Sequence, residues 1–371
     1  MKRINCSRGR KWLSGRASML CLSILLPFCL FTFSPLLTSC SVIDEDLDDC
    51  GEQATVNYEL ELITNMSIEL RTQLNAESEK DVAESLKNYL KNIFADFAHD
   101  VDLSFYDTKG DSVRLHHEQH IMEANQEVYT LYLPKLDYMH LAAANLAGNT
   151  MVSLTDDEFC HPSKLLQQQT DTISSHNTGL FTARQPMSLK VDKDQTFNVK
   201  LYMANCAVAL VVDPHGYDVQ GMTVLTSGFA SGFNINDSTF TFGGKPFVVK
   251  ADELEVKNKS HLCFCSVNFP SREPSQTRTV IETEEPFISQ PGEESLWEFQ
   301  VYVPNHAAGK TRAETSFTKT TLQVREPIRA GELKIIECQA REDGSVVTAS
   351  PEVGVSVTLD WKPGNTYHPE I

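Results

Sequence analysis

Residues 56–65 read VNYELELITN, and in them Val56, Tyr58, Leu60 and Leu62 alternate with Asn57, Glu59 and Glu61. A period of two puts the apolar side chains on one face and the polar ones on the other, which predicts a β-strand with one buried face. A polar connection follows, and then the period changes. In EKDVAESLKNYLKNIFADFA, residues 79–98, Val82, Leu86, Tyr89, Leu90, Ile93, Phe94 and Phe97 recur at helical spacing. This predicts an amphipathic helix lying on a sheet, the clearest helix of the chain.

Further along, strand patterns appear at 101–106, 128–133, 138–145 and 197–201, with Asp107 to Asp111 and Pro134 as turn material. Residues 155–190 are mostly polar and are expected to form a long surface loop. CAVALVVD, from Cys206, is a nearly continuous apolar strand. Short runs follow at 222–226, 239–242, 246–249, 262–269, 296–303, 318–324, 333–337 and 353–361. Gly243-Gly244, Pro291-Gly292, Asp343-Gly344 and Pro363-Gly364 punctuate them. Many short strands with this turn chemistry imply antiparallel sandwiches.

Upstream of the first strand the chain changes character. Residues 1–16 carry Lys2, Arg3, Arg8, Arg10, Lys11 and Arg16 and no acid, and residues 17–37 are mostly apolar, interrupted by Pro27 and Pro35. This is the order of a secretory signal peptide. The run ends in Leu37-Thr38-Ser39-Cys40, which resembles a bacterial lipobox. In such signals the cysteine thiol takes the lipid and becomes the first mature residue, and only cysteine offers the required thiolate. A tether rich in Asp44, Glu45, Asp46, Asp48 and Asp49 follows, ending at Cys50. It reads as a spacer between lipid and folded domain. Residues 1–39 are therefore expected to be removed, residues 40–52 to be the tether, and Cys40 to be the lipid attachment site.

Six of the 32 Lys+Arg precede Cys40, which leaves 26 against 50 Asp+Glu, a formal charge of −24 (26 − 50) for the mature chain. A surface of that sign repels nucleic acid and anionic lipid, so neither is an expected partner and the lipid on Cys40 is the expected membrane anchor. The mature length of 332 residues (371 − 39) suits two domains, divided near residue 204. Cys50, Cys160, Cys206, Cys263, Cys265 and Cys338 remain after Cys40, too sparse for a disulfide-stapled scaffold. One or two bridges at most are expected, with the other cysteines as buried thiols.

Catalytic patterns fail one by one. His116, His117 and His120 invite a metal, but a metalloprotease pattern starting at His117-Glu118 needs histidine at 121, which is Ile121. In an extended segment His116 and His120 share a face at too great a separation, so a solvated polar connection is expected here. Cys263-Phe264-Cys265 lacks a second pair for zinc and the two-residue spacer of a redox motif. Ser231, in SGFASGF, has Gly228 three residues before it where a nucleophile elbow needs glycine two before. The acids of residues 282–294 read as a solvated charge run. No catalytic, cofactor or metal residue is expected, and no enzymatic activity.

The succession of lipobox, CSVIDEDLDDC (40–50), VNYELELITN, IFADFAHDVDLSFYD (93–107), RLHHEQHIMEANQEVYTLYLP (114–134) and YMHLAAANLAG (138–148) resembles the fimbrillin-A-associated anchor family, the anchor subunits of Bacteroidales type V pili. The closing LDWKPGNTYHPEI resembles the final turn of fimbrillin-like chains, with Pro369 unable to donate to a ladder. The resemblance implies a mainly β chain of two tandem transthyretin-like antiparallel β-sandwich domains, 53–204 and 205–371, the first with one amphipathic helix. It further implies an outer-membrane, surface-exposed lipoprotein that anchors fimbriae and ends their assembly by strand-mediated contact with a shaft subunit. Such an anchor keeps its own first strand, here Val56 to Leu62. The alternative is a surface lipoprotein adhesin that binds a glycan or host protein through its loops.

Overall fold

The structure is a computed structural model that describes residues 53–63, 76–94, 98–108, 113–121, 128–157, 161–168, 170–189, 195–243, 247–272, 296–305, 316–348 and 355–356. The expected signal peptide, Cys40, the acidic tether with Cys50, and also Phe97, Cys160, residues 282–294 and the closing segment from 357 lie outside the described residues.

The first half runs β1 (Gln53–Ile63), α1 (Ala76–Ile93), β2 (Asp100–Asp107), β3 (Arg114–Ile121), β4 (Val128–Pro134), β5 (Asp137–Ala144), β6 (Val152–Asp157), β7 (His161–Gln167), β8 (Thr172–Ser174), β9 (Phe181–Ser188) and β10 (Gln195–Met203). The second runs β11 (Cys206–Asp213), β12 (Thr223–Ser227), β13 (Gly232–Asn234), β14 (Thr239–Thr241), β15 (Val248–Lys250), β16 (Asp252–Leu254), β17 (Leu262–Asn268), β18 (Trp297–Asn305), β19 (Ser316–Val324), β20 (Leu333–Ala340), β21 (Val346–Thr348) and β22 (Val355–Ser356). The protein is mainly β, with several packed sheets and one helix among the described residues, as its alternating pattern predicts.

Seven strands form one sheet in the order β3-β2-β5-β9-β10-β1-β4. The β9–β10 ladder holds just two residue pairs, Tyr202 with Thr182 and Met203 with Phe181. The sheet folds over at that corner. Val56 and Tyr58 from β1, Tyr129 and Leu131 from β4, and Phe105, Tyr138 and Phe181 from the other limb therefore meet in one core. Helix α1 presses Val82, Leu86, Leu90 and Ile93 into the same core at spacings of three and four, and Phe94 joins them just past its end. Its last turn is held by the Gly179 amide, which donates to the Ile93 carbonyl at 2.8 Å. Glycine is required there because a β-carbon would run into the Phe94 ring.

The second half repeats the principle. Strand β11 lies between β17, antiparallel, and β20, parallel. Both its faces are buried, which is why its sequence is apolar without alternation. One face meets the first core through Ala207, Ala209 and Val211. The other, through Val208, Leu210 and Val212, packs on β12 and β18, where Val224, Trp297, Phe299 and Val301 form a second core. A third, smaller core joins Leu141 and Ala143 of β5 to Leu165 of β7 and Phe233 of β13. Gly51–Ile371 gathers into one compact unit, and the chain passes from the first sheet to the next between Met203 and Cys206. Each half sets its first strand parallel to a late one: β1 beside β10, β11 beside β20.

Two stretches depart from expectation. Residues 155–190 are not a loop throughout: they supply β7, β8 and β9 and the end of β6. Strand β7 pairs with its neighbour β6 on one side and with β13 on the other, and β8 with β15, so one partner of each comes from far along the chain. Residues 114–121 are not a connection but the edge strand β3, paired antiparallel to β2.

Candidate functional site

Strand β1 is not at an edge. It lies between β10, to which it pairs in parallel from Val56↔Gln195 to Ile63↔Tyr202, and β4, to which it pairs antiparallel from Gln53↔Pro134 to Glu59↔Val128. Val56–Glu59 are therefore paired on both sides, Gln53–Thr55 on the β4 side and Leu60–Ile63 on the β10 side. Ala54, Val56 and Tyr58 point into the first core and are buried, Leu60 and Leu62 pack at its margin, and Glu59 is exposed. On the outer face Glu61 meets Lys200 at 3.4 Å, an exposed pair of small energetic weight.

The slot that receives β1 has a polar point on its floor. The Tyr58 hydroxyl is hydrogen-bonded to His140 Nε2, and His140 Nδ1 lies 3.1 Å from the Ser104 carbonyl oxygen. A carbonyl only accepts, so Nδ1 carries the proton and donates, and Nε2 is left as the acceptor of the Tyr58 O–H. Phe105 stacks on the imidazole, with ring centroids 4.4 Å apart and planes at 18°. Burial holds the His140 pKa down to about 4 and drives that of Tyr58 well above its ordinary value. The sequence shows β1 plainly. It gives no comparable notice of His140, one histidine at an inward position of an apolar strand.

A second buried histidine ties the halves together. His176 Nε2 donates to Gln167 Oε1 at 3.0 Å, and its Nδ1 accepts from Asn205 Nδ2 at 2.8 Å. Asn205 also accepts from the Leu180 amide at 2.5 Å through its side chain and from the Gly331 amide at 2.7 Å through its backbone. Burial lowers the His176 pKa to about 3. Both histidines are therefore neutral in the fold and titrate near 6.5 once unfolded. Above that value they contribute nothing to the pH dependence. As pH falls from 6.5 towards 4 the unfolded chain binds two protons that the fold refuses, costing roughly 3 kcal/mol of stability per pH unit. Urea midpoints should therefore fall between pH 6 and pH 4 with a slope of about two protons, which unfolding curves at three or four pH values would measure.

The histidines singled out in the sequence divide between two faces of β3. His116 and His120 both approach Glu118, at 2.5 and 2.8 Å. His117 and Gln119 turn to the other face and contact Asp102 Oδ2, each at 2.8 Å. Among the described residues no group of three or more His, Cys, Asp or Glu side chains converges in a way that could hold a metal. The Ser231 hydroxyl lies within hydrogen-bond reach of the backbone carbonyls of Thr241 (3.1 Å) and Gly243 (2.7 Å). Cys206, Cys263, Cys265 and Cys338 are buried free thiols, with burial pushing Cys263 up to about 12. Among the described residues no helix is long and apolar enough to cross a membrane.

Fold and site together define a mainly β, multi-sheet sandwich protein whose own first strand fills an interior slot. A candidate adhesin from Bacteroides ovatus is similar in structure, with a TM-score of 0.50 and 12% identity over 86% of this chain and 99% of the other. Weaker likenesses are a candidate polysaccharide-binding protein from Bacteroides thetaiotaomicron (0.45, 11% identity, 84% and 100% covered) and the fimbrial anchor protein Mfa2 from Porphyromonas gingivalis (0.43, 11%, 82% and 100%). At 12% identity the first likeness is one of fold. No protein-family model matches the chain, and no curated protein matches it.

Proposed function

We propose that this chain is a lipid-anchored, surface-exposed subunit that holds fimbriae to the outer membrane and ends their assembly by contact with a strand of a shaft subunit. The observation that carries the reading is the occupancy of the interior slot by residues 53–63 of the same chain, paired with β4 over Gln53–Glu59 and with β10 over Val56–Ile63. A sheet that lacks one strand has unpaired donors and acceptors that recruit a strand from a neighbour. A subunit whose slot is filled from within cannot be entered at that point, so growth stops there. The lipobox at Cys40, the acidic tether and the resemblance of the amino-terminal half to pilus anchors support the same reading, as does the fold shared with a candidate adhesin. We also propose that the unit is two sandwiches, 53–204 and 205–371, that share a core; the parallel pairing of first with late strand in each half supports this. The role is one of binding, without catalysis.

Deleting the protein in its host should give fimbriae that are longer or shed into the medium, scored by electron microscopy and by fimbrial antigen in culture supernatants. Unchanged length and attachment would overturn the reading.

A further inference from the structure

The inner face of β1 presents Ala54, Val56, Tyr58, Leu60 and Leu62, and of these five only Tyr58 can donate a hydrogen bond from its side chain. Opposite it, the acceptor on His140 is fixed. The Ser104 carbonyl holds the proton on Nδ1, Phe105 stacks on the ring, and the side chain is fully buried, so Nε2 has no route to water. A slip of β1 by one residue would bring Asn57 or Glu59 inward and turn the apolar set outward. A slip by two would set Val56 or Leu60 against Nε2 and leave a buried acceptor unpaired, which costs more than the hydrogen bond itself contributes.

We propose that Tyr58 and His140 form the selector of this slot, fixing the register of the chain's own first strand and, wherever that strand is displaced, favouring an occupant that carries a phenolic hydroxyl at the same position. The inference rests on the reading of β1 as the retained strand of an assembly-ending subunit and adds to it the chemistry by which the slot recognises its occupant. A competing strand needs apolar residues at alternate positions, which many strands have. It also needs a tyrosine two residues after the position equivalent to Val56. A phenylalanine fills the same volume and leaves Nε2 bare.

The test uses the full chain carrying Tyr58→Phe and two labelled synthetic peptides, residues 53–63 as they stand and the same peptide with phenylalanine for tyrosine. Peptide concentrations in the millimolar range offset the advantage of a strand that is part of the chain. The variant should take up the tyrosine peptide about tenfold more than the phenylalanine peptide, since an unpaired buried acceptor is worth roughly that factor. Adding His140→Leu, which removes the acceptor, should bring the ratio to about one, an effect that lost packing alone does not produce. Equal uptake of both peptides by the Tyr58→Phe chain, or uptake of neither, would overturn the proposal. Should the variant fail to fold, rescue by the tyrosine peptide alone supports the selector, and rescue by both or by neither overturns it. Fimbrial length on deletion is an independent measurement, so failure of the anchor reading and failure of the selector are separable.

Discussion

Replacing Cys40 with alanine should move the protein from the membrane pellet to the soluble fraction almost completely. The expected anchor is chemical: a thioether on Cys40 and further acylation of the new amino terminus. Several chains together hold a protein on a bilayer where one does so only reversibly, each buried methylene contributing about 0.8 kcal/mol. Nothing in the residues after Cys40 compensates, because the charge of −24 (26 − 50) expected for the mature chain is repelled by anionic headgroups. Alanine keeps the small-residue character of the exit and removes only the thiol. Fractionation followed by immunoblotting decides the matter, and a protein that stays in the pellet would show that Cys40 is not the sole anchor.

Replacing Val56 with aspartate should abolish cooperative folding or lower the melting temperature by about 10 °C or more. Val56 has no exposed surface and sits where β1 is paired on both sides. A carboxylate there meets the apolar first core with no partner for its charge, a penalty of several kcal/mol. Domains commonly hold about 5–15 kcal/mol in reserve, so one such substitution consumes much of it. Glu59→Gln on the exposed side of the same strand should change stability by less than about 0.5 kcal/mol. Thermal unfolding followed by circular dichroism compares the two, and similar melting temperatures would show that β1 does not lie in an interior slot.

The sequence announced β1, α1, β5 and β11 because in each the burial pattern is written locally. Alternation in β1 follows from one buried face, and its absence in β11 from two. What stayed hidden depends on partners distant in the chain. Strand β8 is three residues, Thr172–Ser174, and is a strand because β15 lies beside it. Strand β3 carries His116, His117 and His120, polar enough to read as a connection, yet edge position lets polar side chains occupy both of its faces. For the site the division is the same. Tyr58 was visible as an inward residue, whereas the role of His140 needs the fold of the sheet at the β9–β10 corner, two residue pairs long, to bring β5 over β1.

The parallel ladder between β1 and β10 has a consequence in time. Synthesis runs from the amino terminus, so Gln53–Ile63 is made early and the strand that closes beside it, Gln195–Met203, comes after all the other strands of its sheet. Until then β1 can pair with β4 alone, and its other edge stays open. Contacts between residues so far apart in the chain form slowly, because loop closure must precede the gain from pairing. The slot proposed to end a polymer therefore lacks one wall until β10 is made, and the order of synthesis sets how long that edge of β1 stays open.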